Sequence, residues 1–248
     1  MKKITWQIIL GILLIVLSIF GYLLHFIIFR DAHHILIYLI GDIAFVFFEI
    51  LLVTLVIHRL LEQKEKKEKL EKINMIIGVF FSKIGTKFLT IISDADPDLN
   101  SIKNKLIINT KWTNEKFFII SKKVTQHKFN IDITKIDVLQ LKKELMSQSD
   151  FLTRLFENPI LFEHESFTEL LRSVFHLLEE LSFRENIEKS SETDLKHIEG
   201  DIKRCYKLLV IQWLFYMRHL KNHYPYLYSL SIRTNPFDES ATIFVKDN

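Results

Sequence analysis

Glycine and proline are scarce in this chain, six and four in 248 residues. With so few helix breakers and much Leu, Ile, Lys and Glu, the composition favours a mostly helical protein. The lone cysteine, Cys205, excludes an internal disulfide and a multi-cysteine zinc site, and it suits a reducing compartment. No glycine-rich phosphate loop, no serine nucleophile elbow and no internal repeat of fixed period occurs. Charge of one sign is missing too. The net charge is +3, and residues 1–58 set Lys2, Lys3 and Arg30 against Asp31, Asp42 and Glu49, so the small excess belongs to the remainder. Such an even balance argues against a nucleic-acid partner.

What the chain has instead is long apolar runs. Residues 4–29, ITWQIILGILLIVLSIFGYLLHFIIF, form the first, and residues 35–57, ILIYLIGDIAFVFFEILLVTLVI, the second. At ~1.5 Å per residue the second extends ~35 Å, enough to cross a bilayer core of ~30 Å with some tilt. A cleaved signal peptide would have a shorter apolar region followed by a small-residue cleavage site. Here Arg30, Asp31 and another apolar run follow, which favours a membrane hairpin. Lys2 and Lys3 precede the first span, while Arg59, Lys64, Lys66, Lys67 and Lys69 follow the second. The positive-inside rule then places both termini in the cytoplasm and the 30–34 loop outside.

Two acids, Asp42 and Glu49, lie inside the second run. They are two helical turns apart, on one face and ~10 Å apart along the axis. An ionisable group at that depth costs several kcal/mol unless it faces protein or water. In the first run Gln7, Gly11, Ser18, Gly21 and His25 share one face, and small residues let helices approach closely in lipid. A tight hairpin would set Asp42 near Gly21 and Tyr22, with His25 a turn away and Glu49 level with Ile15. Asp42 and Glu49 then read as interhelical glue, or as a proton or cation path with His25 and the neighbouring His33 and His34 at its outer mouth; a metal site on that His cluster is a third reading. The glue can act within one hairpin or between copies of it; two spans cannot enclose a pore, so conduction calls for a homo-oligomer.

Beyond the membrane part, residues 59–92 read as a helical stalk. Glu62/Lys66, Glu65/Lys69 and Glu68/Lys72 stand at i,i+4 in the favourable order. An apolar stripe follows through Leu70, Ile73, Ile77, Phe80, Ile84 and Phe88, and Gly78, Ser82 and Gly85 offer a small face for helix packing. Residues 93–237 form the cytoplasmic helical domain, and 238–248 a loose tail. The alternating Asp94, Asp96, Asp98 and Asn100 lack the glycine and glutamate of a calcium loop and read as a proline turn. Thr113 is expected to cap one helix, Ser166 to start a helix over 167–185, and Asp194 to cap another over 195–223. On these two helices His176 and Glu180, then His197 and Asp201, stand at i,i+4. Antiparallel packing would converge two imidazoles and two carboxylates, a candidate metal site. The doubled Glu-x-x-His motif of di-iron bundles is absent, and Arg184 and Arg204 are alternative partners for the carboxylates.

The stretches FRDAHHILIYLIGDIAF, NMIIGVFFSKIGTKFL, FEHESFTELL, GDIKRCYKLLV and YPYLYSLSIRTNPF together resemble a family of uncharacterised prokaryotic membrane proteins with two spans and a helical cytoplasmic part. The resemblance covers residues 20–237 and implies no activity and no residue role. The sequence therefore reads as an all-α protein in the cell membrane: a two-helix hairpin, a stalk and a helical bundle. A membrane-anchored, oligomeric scaffold or signalling module is the first expectation. An oligomeric proton or cation conductor and a membrane-bound metalloenzyme are the alternatives. The expected partners are the lipid bilayer and further copies of the chain, and no cofactor is predicted beyond the candidate metal.

Overall fold

The computed structural model describes residues 6–98 and 100–244, the side chains of residues 100 and 101 excepted. Every regular element among them is helical: α1 (Trp6–Phe29), α2 (Ala32–Phe80), a π-helical turn (Phe81–Gly85), α3 (Thr86–Ser93), α4 (Asn100–Leu106), α5 (Asn114–Gln126), α6 (Val138–Ser147), α7 (Ser149–Phe156), α8 (Glu165–Ser182), α9 (Glu192–His223) and α10 (Pro225–Arg233), with short 3-10 turns between some of them. The chain divides into two compact units, Met1–Lys66 and Lys67–Asn248, and the boundary falls within α2.

The first unit holds α1 and the N-terminal part of α2. Both helices are long and apolar enough to cross a membrane. The turn between them is tighter than the 30–34 loop expected from sequence. Arg30 takes a left-handed conformation, φ 48°, and its N–H donates to the Phe26 carbonyl at 2.8 Å. Asp31 Oδ1 then accepts from the N–H groups of His33 and His34 at 3.0 and 3.2 Å. That cap draws residues 32–34 into the first turn of α2, so only Arg30 and Asp31 lie outside helix. The two helices approach at this end, where the His25 and His34 rings are 6.1 Å apart. Farther along they do not interlock. No residue of α1 is buried, and a Cβ added at Gly11, Gly21 or Gly41 would meet nothing within 4 Å. Gly21, expected opposite Asp42, has open space where close packing was expected, and Tyr22 makes no hydrogen bond to Asp42 among the described residues.

The second unit has its own core, with α9 through the middle. One stripe of α9 is apolar at helical spacing, and Ile198, Ile202, Tyr206, Leu209, Trp213 and Met217 are all buried. Helix α8 lies along it with Phe167, Leu170, Leu171, Val174 and Leu178 inward, while α3, α5 and α10 pack on its other sides. Thr113 caps α5 as expected, its Oγ1 accepting from the Lys116 N–H at 3.2 Å. The other two caps differ. His164 Nδ1 accepts the Phe167 N–H at 3.2 Å, and Ser191 Oγ accepts the Asp194 N–H at 3.2 Å. Asp194 is occupied elsewhere, as described below.

The expected stalk, 59–92, is not one segment. From Ile73 onward its apolar residues belong to this core, with Ile73, Ile77, Phe80, Phe81, Ile84 and Phe88 all buried. Phe80 meets Phe167 of α8 edge-on at 5.4 Å, and Phe81 stacks on Tyr216 of α9 at 5.1 Å. An α-helix presenting a single apolar stripe does not readily turn two successive large rings inward. The π turn shifts the phase by widening the helix for one turn, and both phenyls enter the core. The same shift divides the expected small face. Gly78 lies under Tyr216, Ser82 is exposed, and Gly85 is buried beneath the rings of Phe80 and Phe81.

The C-terminal stretch is tied down further than expected. Phe237 is buried 5.0 Å from Trp213, and Asn235 donates to the Leu106 carbonyl at 2.9 Å. Beyond it Glu239 pairs with Lys103, and Arg233 donates to the Ile243 carbonyl. Of the expected loose tail, residues 245–248 lie outside the described residues.

Candidate functional site

Helices α8 and α9 are antiparallel, joined through residues 183–191, and their register brings successive pairs level. Glu180 faces His197, His176 faces Asp201, and Ser173 faces Cys205. The i,i+4 pairs singled out in the sequence therefore meet. Asp201 is the deepest, its side chain only 4% exposed, whereas His197 is 55% exposed and marks the solvent side.

Asp201 Oδ2 stands 3.5 Å from His176 Nε2 and 3.4 Å from His197 Nε2. Glu180 completes the ring, with Oε1 4.0 Å from His176 Nε2 and Oε2 3.6 Å from His197 Nε2. These separations exceed the 2.7–3.2 Å of ordinary hydrogen bonds to nitrogen. Asp201 Oδ2 is buried and has no hydrogen-bond partner among the described residues. One ligand atom from each of His176, His197 and Asp201 lies within 4.8 Å of the others, so the group could hold a metal ion.

Two arginines stand behind the carboxylates. Arg204 Nη1 lies 3.3 Å from Asp201 Oδ1, the oxygen turned away from the imidazoles. Arg184, just beyond α8, donates to Glu180 Oε2 at 2.5 Å and takes both oxygens of Asp194, at 2.8 Å through Nη2 and 3.0 Å through Nε. The hydrogen bond from Arg184 holds Asp194 down at about 2 and lowers Glu180 as well, while these carboxylates, Asp194 first, raise the guanidinium. Arg184 thereby closes the α8–α9 connection and fixes one oxygen of Glu180. Both arginines singled out in the sequence thus stand against the site carboxylates, Arg204 at one oxygen of Asp201 and Arg184 at one oxygen of Glu180.

One turn away Ser173 Oγ and Cys205 Sγ are 3.0 Å apart and buried. Burial pushes the Cys205 thiol up to about 12, which makes it inert at neutral pH. On the other side of Arg204 a groove of about 450 Å³ is lined in part by Lys128, Lys203, Arg204 and Lys207. The sequence reasoning did not pick out this basic groove. Its signal was the spacing of Lys203 and Lys207, but Lys128 comes from the chain after α5.

The candidates on the two long apolar helices lie in the first unit. Asp42 and Glu49 are exposed, and neither carboxyl has a hydrogen bond or ion pair among the described residues. His25 is half-buried beside Phe29 and His34.

Comparison with known proteins places the whole chain. Residues 69–233 match the family described as "Uncharacterized protein MJ1433, C-terminal helical domain", and residues 2–61 match "MJ1433, N-terminal helical domain". The chain belongs to this family of helical proteins. It is 46% identical over 243 residues to the "Uncharacterized protein MJ1433" of Methanocaldococcus jannaschii, covering 98% of both chains. No solved structure matches it. The two matched regions leave a gap at 62–68 that spans the division within α2.

Proposed function

We propose that the chain is a membrane-anchored helical module, a scaffold or signalling component that assembles with copies of itself through its two N-terminal helices. The observation that carries the reading is an apolar surface with nothing over it: α1 buries no residue, and the apolar side chains of residues 35–57 are almost all exposed. A core helix of a soluble domain would be covered by its neighbours. A signal sequence would leave the second apolar helix unexplained. Lipid covers both, at about 25 cal/mol per Å² of apolar surface removed from water. The basic residues after the second span favour a cytoplasmic location for the helical domain.

Lipid cannot cover Asp42 and Glu49, which are exposed and have no hydrogen bond or ion pair among the described residues. A second copy supplies the missing face, with the stripe of Gly11, Ser18 and Gly21 open for close approach. Cross-linking in native membranes and sizing in mild detergent test this. A discrete oligomer is expected, falling to monomer in Asp42→Asn/Glu49→Gln. Unchanged assembly of that variant would remove the carboxyls from the contact. The same unpartnered acids, with the His25–His34 pair at one end of the helices, favour conduction as a second reading. Proton or cation flux in liposomes that disappears in Glu49→Gln would select it.

A further inference from the structure

We infer that His176, His197, Asp201 and Glu180 form a binding site for a single first-row divalent transition metal of the zinc type, clamping α8 to α9. The inner atoms are His176 Nε2, His197 Nε2, Asp201 Oδ2 and Glu180 Oε1. Metal–ligand bonds of 2.0–2.2 Å place tetrahedral ligand atoms about 3.3–3.6 Å apart. The imidazole nitrogens stand 3.5 and 3.4 Å from Asp201 Oδ2, already at that edge length. Glu180 Oε1, 4.0 Å from His176 Nε2 but outside the group formed by the other three, has to swing inward to close the fourth vertex.

Three further observations point the same way. Asp201 Oδ2 is a buried carboxylate oxygen that no donor satisfies, and it faces both imidazoles. Such an atom is costly unless a cation or donor meets it. Each carboxylate also has one oxygen against an arginine, Asp201 Oδ1 beside Arg204 at 3.3 Å and Glu180 Oε2 bonded by Arg184, the latter still 3.6 Å from His197 Nε2. Outer-shell partners of this kind orient metal ligands. Finally, the donor set is chemically selective. Two imidazoles with two carboxylates suit Zn²⁺, Fe²⁺, Co²⁺ or Ni²⁺ better than Ca²⁺ or Mg²⁺, which prefer oxygen. Two carboxylates balance a divalent charge, and the chain's only thiol, Cys205, stays beside Ser173 outside the set.

The alternative is a purely protein network in which His176 and His197 pair with Asp201. Co²⁺ titration separates the two. The full chain is purified in detergent without a polyhistidine tag, stripped with chelator and titrated with Co²⁺ at pH 7.5, then with competing Zn²⁺. Expected are visible d–d bands of tetrahedral intensity saturating at one equivalent, their displacement by Zn²⁺, and a thermal midpoint several degrees higher with Zn²⁺ present. The exposed residue is the safest to change. His197→Gln should weaken Co²⁺ binding at least tenfold and abolish the thermal shift while leaving the metal-free midpoint within a few degrees. Absence of a saturable tetrahedral spectrum, or equal binding by His197→Gln, would overturn the site. Equal binding by the variant would place the metal on other histidines.

Discussion

Gly85 and Gly200 give opposite signs for the same substitution. Gly85 has ordinary helical angles, φ −61° and ψ −44°, so its backbone does not demand glycine. Space does. A Cβ there would lie 2.6 Å from Phe81 Cδ1 and 2.9 Å from Phe80 Cε1, against the ~3.5–4.0 Å of a normal carbon contact. Neither ring can swing away, since Phe80 is wedged against Phe167 and Phe81 is stacked on Tyr216. Overpacking of this kind costs about 1–3 kcal/mol. Helix propensity returns up to about 1 kcal/mol for Gly→Ala, so Gly85→Ala loses about 1–2 kcal/mol net. For a domain of this size that is roughly a 2–8 °C fall in midpoint. At Gly200, on the exposed side of α9, a Cβ meets nothing within 4 Å, and Gly200→Ala should gain up to about 1 kcal/mol.

The assay uses the single thiol. Cys205 is fully buried, and its pKa is pushed up by burial, so alkylation by iodoacetamide at neutral pH reports opening of the helical domain alone. Urea series on the full chain in detergent should give a lower midpoint of Cys205 labelling for Gly85→Ala and a higher one for Gly200→Ala. A shift of the same sign in both would refute the steric reading of the π turn.

Two further outcomes follow from the same domain. Arg184 depresses the Asp194 carboxyl to about 2, below its unfolded value of ~3.9, so its contribution is present above ~4 and fades as pH falls toward 2. The midpoint gap between wild type and Asp194→Asn should be widest near neutral pH and close in acid, as followed by circular dichroism. Phe237→Ala empties a buried ring site against Trp213 and should cost about 3–5 kcal/mol, with a changed tryptophan emission.

The helices of the second unit were legible because their apolar residues recur at helical spacing, and most of the residues on those stripes of α8 and α9 are buried, Phe175 being only half-buried. The His/acid convergence was legible for the same reason: i,i+4 pairs on two successive helices can meet when the helices pack antiparallel, and the register found here brings them level. The arginine arrangement was less so. Which oxygen Arg184 or Arg204 takes depends on how residues 183–191 reverse the chain, and that is long-range geometry. Asp194 looked like a cap because local spacing cannot reveal that it faces Arg184 instead. The π turn left only a faint trace, adjacent phenylalanines at 80 and 81 where one inward ring was expected. In the first unit, apolar length was plain, but the placing of α1 beside α2 was not. A small-residue stripe tells that a backbone can come close, not whose backbone it is.

The central claim is that the two N-terminal helices thread a bilayer and leave the helical domain on the cytoplasmic side. Alkaline phosphatase, active only outside the cytoplasm, tests it when inserted between Arg30 and Asp31 and, separately, fused after Asn248. The account predicts high activity at the turn and none at the C-terminus; activity at the C-terminus, or none at either position with the protein recovered in the soluble fraction, would contradict it.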